Sequence, residues 1–294
     1  MKVTIDRDSG FCFGVKRAIE QAESQLARDG RLYCLGDIVH NNAEMERLRK
    51  QGLTSLSRED MSNLKDERVL FRAHGEPPSS YMITEKNGLS LTDATCPIVK
   101  KLQKRIKKAW DALKENNGQL VIYGDPDHPE TIGLQGQTGG NAIIVSDFGD
   151  LSAIDPKRPV ELFSQTTKST EGFLKLVKNI SELMGGHSRE TELPLNVHNT
   201  ICGQISRRIP SIRNFAGNHD IVVFAGGKQS SNARILFGHC LEVNPKSRFV
   251  SSPEEVSAGW FIGARSAGVC GATSTPQWLM EEVASQIMKL TREK

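Results

Sequence analysis

The stretch Ala94-Thr95-Cys96-Pro97-Ile98-Val99 places a cysteine directly before a run of residues with helical periodicity. The same arrangement occurs twice more, in Gly10-Phe11-Cys12-Phe13-Gly14-Val15 and in Thr200-Ile201-Cys202-Gly203-Gln204. After each cysteine the pattern predicts two strands that end in polar residues, and the first of these tips follows the cysteine by about 30 residues. Three such units of nearly equal length predict three small α/β domains around a common centre.

Short apolar strands alternate with helices along the chain. The strands are predicted at residues 32–35, 69–72, 120–123, 160–164 and 221–225. The helices are predicted at residues 15–26, 42–49, 99–113, 170–184, 233–243 and 277–290, the last one introduced by Thr275-Pro276 as a cap and first helical residue. This alternation is typical of βαβ units, so we expect an α/β fold with mostly parallel sheets. The predicted domains span residues 1–95, 96–198 and 199–294.

Composition excludes several classes of protein. The 294 residues carry a formal charge of only +3, and a dense basic run that could follow a phosphate backbone is missing, so we expect no nucleic-acid partner. The most basic stretch, residues 100–108, is interpreted as the solvated face of a helix, with a docking patch as the alternative. Apolar runs long enough to span a membrane are missing. Residues 1–6 are interpreted as the start of a strand, and they lack the apolar core of a signal peptide. We therefore expect a cytoplasmic protein in a reducing compartment, with no membrane partner.

The three cysteines that precede helices, Cys12, Cys96 and Cys202, are candidate metal ligands. A helix N-terminus favours the thiolate form, and thiolates suit an iron–sulfur cluster or a soft metal. Three thiolates on a four-iron cluster leave one iron open for substrate. The alternative is that they are small buried residues, since cysteine is among the most buried types. The other cysteines lie in apolar patterns and are expected in the core: Cys34, Cys240 and Cys270.

The polar residues at the predicted strand ends suit an anionic ligand. These tips are Val39-His40-Asn41, Ala73-His74-Gly75, Asp127-His128-Pro129-Glu130, Gln165-Thr166-Thr167, Ser230-Ser231-Asn232 and Ala272-Thr273-Ser274. Their imidazole, hydroxyl and amide groups can donate hydrogen bonds to phosphate oxygens, although a histidine at a strand end can also simply cap a turn. The remaining histidines are expected on the surface or in packing roles: His187, His198, His219 and His239. Nucleotide-binding glycine motifs are not convincing anywhere in the sequence, so a nucleotide cofactor is not indicated.

Glu130 lies two residues after His128, among the candidates for phosphate binding. A carboxylate beside an anion is costly unless it is protonated, so a general acid is one interpretation. The other is a glutamate in the first turn of a helix, where the helix dipole favours a negative charge. The residues alone leave both interpretations open.

The complete set of motifs resembles the LytB family of 4-hydroxy-3-methylbut-2-enyl diphosphate reductases. The match runs nearly from end to end and consists of Gly-Phe-Cys12-x-Gly-Val, Val-His40-Asn, Ala-His74-Gly, Asp-Ala-Thr-Cys96-Pro, His128-Pro-Glu130, Gln-Thr166-Thr, Ile-Cys202 and Lys-x-Ser230-Ser-Asn232. The resemblance implies a pseudo-threefold trefoil of three α/β domains around one [4Fe-4S] cluster. It implies the last step of the methylerythritol phosphate route, the reductive dehydroxylation of an allylic diphosphate to isopentenyl and dimethylallyl diphosphates.

The resemblance also implies a role for each motif. The cluster would be held by Cys12, Cys96 and Cys202, with one open iron. Glu130 and Thr166 would handle the substrate hydroxyl and its proton. The diphosphate would be bound by His40, His74, His128, Ser230, Ser231, Asn232 and Ser274. The two electrons would come one at a time from a ferredoxin or flavodoxin.

Three departures from the family pattern concern the channel and the docking of the electron donor. Gly124-Asp125-Pro126-Asp127 stands where many members have Gly-His, Gly203–Arg208 differs from the common sequence after the third cysteine, and Cys270 lies near the Ser274 loop, where threonine is frequent. Two alternative functions are a hydrolyase that removes water without net reduction and a non-catalytic iron–sulfur sensor. The diphosphate-binding tips argue against the sensor, and consumption of reducing equivalents separates a reductase from a hydrolyase.

Overall fold

The structure is a computed structural model that describes residues 1–146, 150–185 and 194–292. His187 lies outside the described residues. Among the described residues, no helix could cross a membrane.

Twelve strands and ten α-helices are present in this part of the chain. The strands are β1 (Lys2–Ile5), β2 (Leu32–Leu35), β3 (Leu53–Leu56), β4 (Arg68–Phe71), β5 (Ser90–Asp93), β6 (Gln119–Tyr123), β7 (Ile143–Val145), β8 (Val160–Ser164), β9 (Leu195–Val197), β10 (Ile221–Ala225), β11 (Arg248–Val250) and β12 (Ser266–Gly271). The helices are α1 (Phe13–Asp29), α2 (Asn42–Lys50), α3 (Arg58–Asn63), α4 (Pro78–Lys86), α5 (Pro97–Leu113), α6 (Pro129–Gln135), α7 (Thr170–Gly185), α8 (Gly203–Gly217), α9 (Ser231–Val243) and α10 (Gln277–Arg292).

Every predicted strand and helix is present, and the bounds differ by three residues at most. The helix α10 begins at Gln277, as predicted, but Pro276 precedes the first helical residue and does not occupy that position. The Thr275 hydroxyl donates to the carbonyl oxygen of Ala225 at 2.8 Å and accepts from the backbone N–H of Ala272. Thr275 therefore ties the end of β12 to the end of β10, a contact that the local pattern does not reveal.

The strands form three four-stranded sheets of one topology. Their orders are β3-β2-β4-β5, β7-β6-β8-β9 and β11-β10-β12-β1. When the strands of a sheet are numbered in chain order, they lie side by side in the order second, first, third, fourth. In the last sheet the fourth position is taken by β1, although this strand comes first in the chain. The pairings β6–β8, β10–β12 and β1–β12 are parallel. An α/β fold with parallel sheets and a threefold repeat is thus confirmed.

The structure forms two compact units. One consists of residues 1–55 and 203–294, and it contains the whole sheet β11-β10-β12-β1. The other consists of residues 56–202 and contains the whole sheet β7-β6-β8-β9. The domain boundaries predicted above stay a prediction, although the pairing of β1 with β12 is a feature that they did not include.

Helices cover both faces of the two sheets that lie within a single unit. In residues 56–202, one face of the sheet packs against Phe173 and Ile180 of α7, and the other packs against Ile106 of α5. In the other unit, Val283 of α10 covers one face and Leu236 of α9 covers the opposite face. The central strands β6 and β10 are buried along their whole length, as expected for parallel strands covered on both sides.

Candidate active site

The predicted site residues follow particular strands of each sheet. The tips follow the first and third strands, which are β2 and β4, β6 and β8, and β10 and β12. The three candidate ligands Cys12, Cys96 and Cys202 follow the fourth strands, β1, β5 and β9. In a sheet of this order the connections after the first and third strands diverge, and a crevice opens at the carboxyl ends of those strands, where ligands of α/β proteins bind.

Glu130 and Thr166 form a buried polar pair in the unit of residues 56–202. Glu130 lies in the first turn of α6 with only 2% of its surface exposed, and Thr166 lies in the tip that follows β8. The Thr166 backbone N–H donates to Glu130 Oε1 and the Thr166 hydroxyl donates to Oε2, both at 2.6 Å. The carboxyl group is therefore held at both oxygens, in a fixed orientation.

The protonation of Glu130 is shifted by its surroundings. Burial raises the pKa of its carboxyl group to about 7, although the two hydrogen bonds from Thr166 lower it. The sequence predicted the direction of this shift from phosphate charge nearby, whereas the cause in the structure is loss of contact with water. Glu130 can therefore hold a proton near neutral pH, which is what a general acid requires.

His128 is oriented by the same turn. It is the N-cap of α6, and its Nδ1 accepts a hydrogen bond from the Glu130 backbone N–H at 3.1 Å. Because Nδ1 is an acceptor here, the proton of the neutral ring lies on Nε2, which can donate to an anion. The ring of His74, which follows β4, meets the His128 ring edge to face with centroids 5.4 Å apart. The structure therefore brings together these two predicted phosphate-binding histidines.

A second polar cluster lies in the unit of residues 1–55 and 203–294. Ser230 is the N-cap of α9, and its hydroxyl lies 3.1 Å from the hydroxyl of Ser274. Asn232 is buried in the first turn of α9, and its side-chain amide donates to the Thr273 hydroxyl. Thr273 stood in a predicted tip without an assigned role. Ser231 is the first residue of α9 and is half-buried.

His40 is placed beside this cluster by the backbone. The loop between β10 and α9 passes so close that a Cβ on Gly227 would lie 1.8 Å from the carbonyl oxygen of His40. Only glycine fits this approach. Gly227 therefore allows the loop that carries Ser230 to lie against the loop that carries His40.

Each of the three candidate ligands is fixed to a tip by a backbone hydrogen bond. The N–H of Cys12 donates to the carbonyl oxygen of Thr273 at 3.2 Å. The N–H of Cys96 donates to Ala73, next to His74, at 3.0 Å, and that of Cys202 donates to Thr166 at 2.8 Å. The partner is the third-strand tip in every case. The backbone of each cysteine is thereby tied to a residue of a polar tip, a relation that the sequence pattern does not reveal.

The chemistry of these thiols fits an iron–sulfur cluster. All three are half-buried and directly precede the helices α1, α5 and α8. Helix N-termini favour thiolates, the soft ligands that iron–sulfur clusters require. Arg208 of α8 donates to the carbonyl oxygen of Gly10 at 2.5 Å, and its positive charge interacts with Cys12.

The remaining cysteines behave as core residues. Cys34, Cys240 and Cys270 are fully buried, as predicted. Burial and the neighbouring Cys240 raise the pKa of the Cys270 thiol well above its usual value, so Cys270 stays protonated. The departure at Cys270 is thus a packing feature of β12.

The other histidines that the structure describes have packing or surface roles. His198 stacks on Phe163 with ring centroids 4.3 Å apart and contacts Glu161. His219 is hydrogen-bonded to the carbonyl oxygen of Phe215, and His239 contacts an exposed glutamate. These contacts agree with the surface or packing roles expected for His198, His219 and His239.

Comparisons with known proteins place the chain in a family. The model of the family described as LytB protein matches residues 3–288. A protein of Parabacteroides distasonis is 48% identical over 99% of this chain and 98% of its own length, and one of Porphyromonas gingivalis is 49% identical over 98% and 99%. Both are named 4-hydroxy-3-methylbut-2-enyl diphosphate reductase.

Solved structures agree with this match. A structure of (E)-4-hydroxy-3-methyl-but-2-enyl diphosphate reductase, described as the terminal enzyme of the non-mevalonate pathway, has a TM-score of 0.72 at 33% identity and covers 98% of this chain and 100% of its own. A reductase structure from Plasmodium falciparum has a TM-score of 0.82 at 24% identity, covers 97% of this chain and 87% of its own, and supports the fold.

Proposed function

Because the chain belongs to the LytB protein family, we propose that it converts (E)-4-hydroxy-3-methylbut-2-enyl diphosphate into isopentenyl and dimethylallyl diphosphates, the last step of the methylerythritol phosphate pathway. The observation that carries the proposal is the buried Glu130, held at both carboxylate oxygens by Thr166 and able to keep a proton near pH 7. The reaction breaks a C–O bond, and hydroxide is a poor leaving group without a proton donor.

The cofactor in this proposal is one [4Fe-4S] cluster held by Cys12, Cys96 and Cys202, with one open iron. When bound, the cluster supplies two electrons one at a time and a Lewis-acidic iron. The backbone bonds from the three cysteine N–H groups to Thr273, Ala73 and Thr166 support this ligand set, because they fix the backbone of each cysteine to a polar tip.

Glu130 and Thr166 are the proposed proton path. The protonated carboxyl group of Glu130 donates to the Thr166 oxygen, and the Thr166 hydroxyl donates its own proton to the substrate hydroxyl. That oxygen leaves as water, and the two electrons with a second proton complete the new C–H bond. A short relay of this kind needs the carboxyl group and the hydroxyl at hydrogen-bond distance, and Glu130 Oε2 lies 2.6 Å from the Thr166 hydroxyl oxygen. The Thr166 backbone N–H, 2.6 Å from Oε1, holds the carboxyl group in place for this transfer.

The diphosphate is bound, in this proposal, by donors from the tips. They are His40, His74, His128, Ser230, Ser231, Asn232 and Ser274. Two observations support this binding site. Nδ1 of His128 accepts a hydrogen bond, which leaves the proton on Nε2 to be donated to a phosphate oxygen, and Ser230 and Asn232 are buried at the start of α9. Backbone N–H groups at the start of a helix of this length favour phosphate oxygens.

The proposed electron donor is a ferredoxin or flavodoxin, and the proposed compartment is the cytoplasm. The decisive experiment is anaerobic turnover of the allylic diphosphate with a one-electron donor, in which product and oxidised donor are counted together. We expect two donor equivalents for each product. Loss of water without oxidation of the donor would support a hydrolyase, and binding without turnover would support a sensor.

A further inference from the structure

The loops that carry Glu130 and Thr166 are joined by a second set of contacts. Lys168 Nζ donates to Asp125 Oδ1 at 3.0 Å, and the Lys168 side chain is only 4% exposed. The ammonium group also lies 4.8 Å from the centroid of the Tyr123 ring. Asp125 is one of the departures from the family pattern, and it immediately follows Gly124 at the end of β6.

Gln165 joins the same two loops through neutral hydrogen bonds. Its Oε1 accepts from the Asp125 backbone N–H at 3.0 Å and from the Thr131 hydroxyl at 3.1 Å. Its Nε2 donates to the Thr167 hydroxyl at 2.6 Å. The packing leaves no spare room, since a Cβ on Gly124 would lie 2.7 Å from the Thr131 hydroxyl oxygen. The loop after β6 and the loop after β8 are thus joined by the Lys168–Asp125 pair and by Gln165, in addition to the Glu130–Thr166 contact.

A lysine buried this deeply is costly unless its charge is paired, and an ion pair of this kind is weak evidence of stabilisation. The use best supported for such pairs is to fix one arrangement among several. Here that arrangement is the position of Thr166 against Glu130, where both hydrogen bonds to the carboxyl group measure 2.6 Å. A displacement of about 1 Å between catalytic groups can cost about 100-fold in rate.

We propose that Asp125 and Lys168 are positioning residues, which hold the Thr166 loop against the Glu130 loop so that both hydrogen bonds to the carboxyl group persist during turnover. This inference rests on the proposed function, because it assumes that Glu130 is the acid. It gives the Asp125 departure a role, as the charged partner of Lys168.

The test is Lys168→Met, which keeps the length of the side chain and removes its charge. The matched control is Lys178→Met on α7, where an exposed lysine pairs with Glu182 at 3.7 Å. We expect Lys168→Met to lower kcat by about 10- to 100-fold with KM changed by less than about threefold, and the control to match the parent. Asp125→Asn serves as the second variant if Lys168→Met does not fold, since the Asp125 side chain is 36% exposed.

Two further readouts separate positioning from general stability. Thr166 lowers the pKa of Glu130 through its hydrogen bonds, so loosening them should move the fall of kcat with rising pH to a higher pH. In the Glu130→Gln background, Lys168→Met should cause no further loss beyond about twofold, because it acts through the acid. An equal loss in that background, with no movement of the pH profile, would overturn the proposal.

Amide hydrogen exchange tests the inference without a measurement of enzyme activity. The backbone N–H groups of Gln165–Thr167 should exchange faster in Lys168→Met than in the parent and in Lys178→Met. If the parent does not turn over the allylic diphosphate, the proposed function fails, and the exchange data alone decide whether the pair holds the loop. Unchanged exchange together with parental kcat would show that Asp125 and Lys168 position nothing.

Discussion

The substitution Glu130→Gln removes the acidic proton of residue 130 and keeps the size and the hydrogen bonds of its side chain. The glutamine oxygen can accept from the Thr166 backbone N–H, and the glutamine NH₂ can donate to the Thr166 oxygen, so both contacts have a replacement. The variant cannot give up a proton. Substrate binding and cluster content should therefore stay close to those of the parent, and only the chemical step should suffer.

The size of the effect follows from the pKa of Glu130. At a pKa of about 7, roughly half of the carboxyl groups are protonated at pH 7, whereas at the ordinary value of 4.5 only about 0.3% would be. Burial thus increases the amount of acid more than 100-fold, and removing the acid removes the whole contribution of proton donation. We expect kcat to fall by about 10²- to 10⁴-fold.

The assay is steady-state turnover with an artificial one-electron donor from pH 5.5 to pH 8.5. In the parent, kcat should fall as the pH rises through about 7, because Glu130 then loses its proton. In Glu130→Gln the low rate should not depend on the pH in this range. If the variant turns over within a few-fold of the parent, Glu130 is not the acid, and a water held by Thr166 becomes the next candidate.

The same substitution should change how stability depends on pH. The pKa of Glu130 is higher in the folded chain than in the unfolded chain, so the stability linked to its proton is complete below about pH 4.5 and is lost as the pH rises through about 7. The difference is worth up to about 3 kcal/mol. Thermal unfolding at pH 5.5 and pH 8 should show Glu130→Gln gaining most over the parent at pH 8, and an equal gain at both would contradict the shifted pKa.

Three further outcomes are expected. Anaerobically purified Cys96→Ser protein should contain no iron or acid-labile sulfide, whereas Cys240→Ser protein should contain both. Stoichiometric zinc without sulfide in the parent protein would refute the proposed cluster. His74→Ala should weaken binding of substrate and product alike by about 1.5–3 kcal/mol in calorimetry with the cluster spectrum unchanged, and parental affinity would place the diphosphate elsewhere. Gly227→Ala should lower the melting temperature, since its Cβ would collide with the His40 carbonyl oxygen; a parental melting temperature would contradict that close approach.

Much of the fold could be predicted because its central elements repeat a strong local pattern. The strand β10 is a continuous apolar run, and α5 follows Cys96 with a clear amphipathic period, so both are visible in the sequence. The strands that were missed are short or rich in small residues: β3, β5, β7, β9, β11 and β12. The six residues of β12, Ser266–Gly271, include two glycines, and such a strand becomes stable only between β10 and β1.

The site was predictable to the extent that it depends on strand ends. The positions of His74, Glu130 and Thr166 follow from where each strand stops. The contacts between tips depend instead on which strands are neighbours, and one sequence does not specify that order. The bond from Cys202 to Thr166 and the pair of Lys168 with Asp125 belong to this second kind.

In the three repeats the backbone of the tips holds the cysteines, and the side chains of the tips form the polar site. In each repeat the carbonyl group of a third-strand tip accepts from a cysteine N–H, and that bond is independent of the side chain present. Side chains at equivalent tips can therefore differ without disturbing the cysteines. They do differ, since His74, Thr166 and Ser274 occupy the third-strand tips, and Glu130 accompanies only the first-strand tip of the middle repeat. A substitution at these side chains should alter binding or proton transfer and leave the proposed cluster ligands in place.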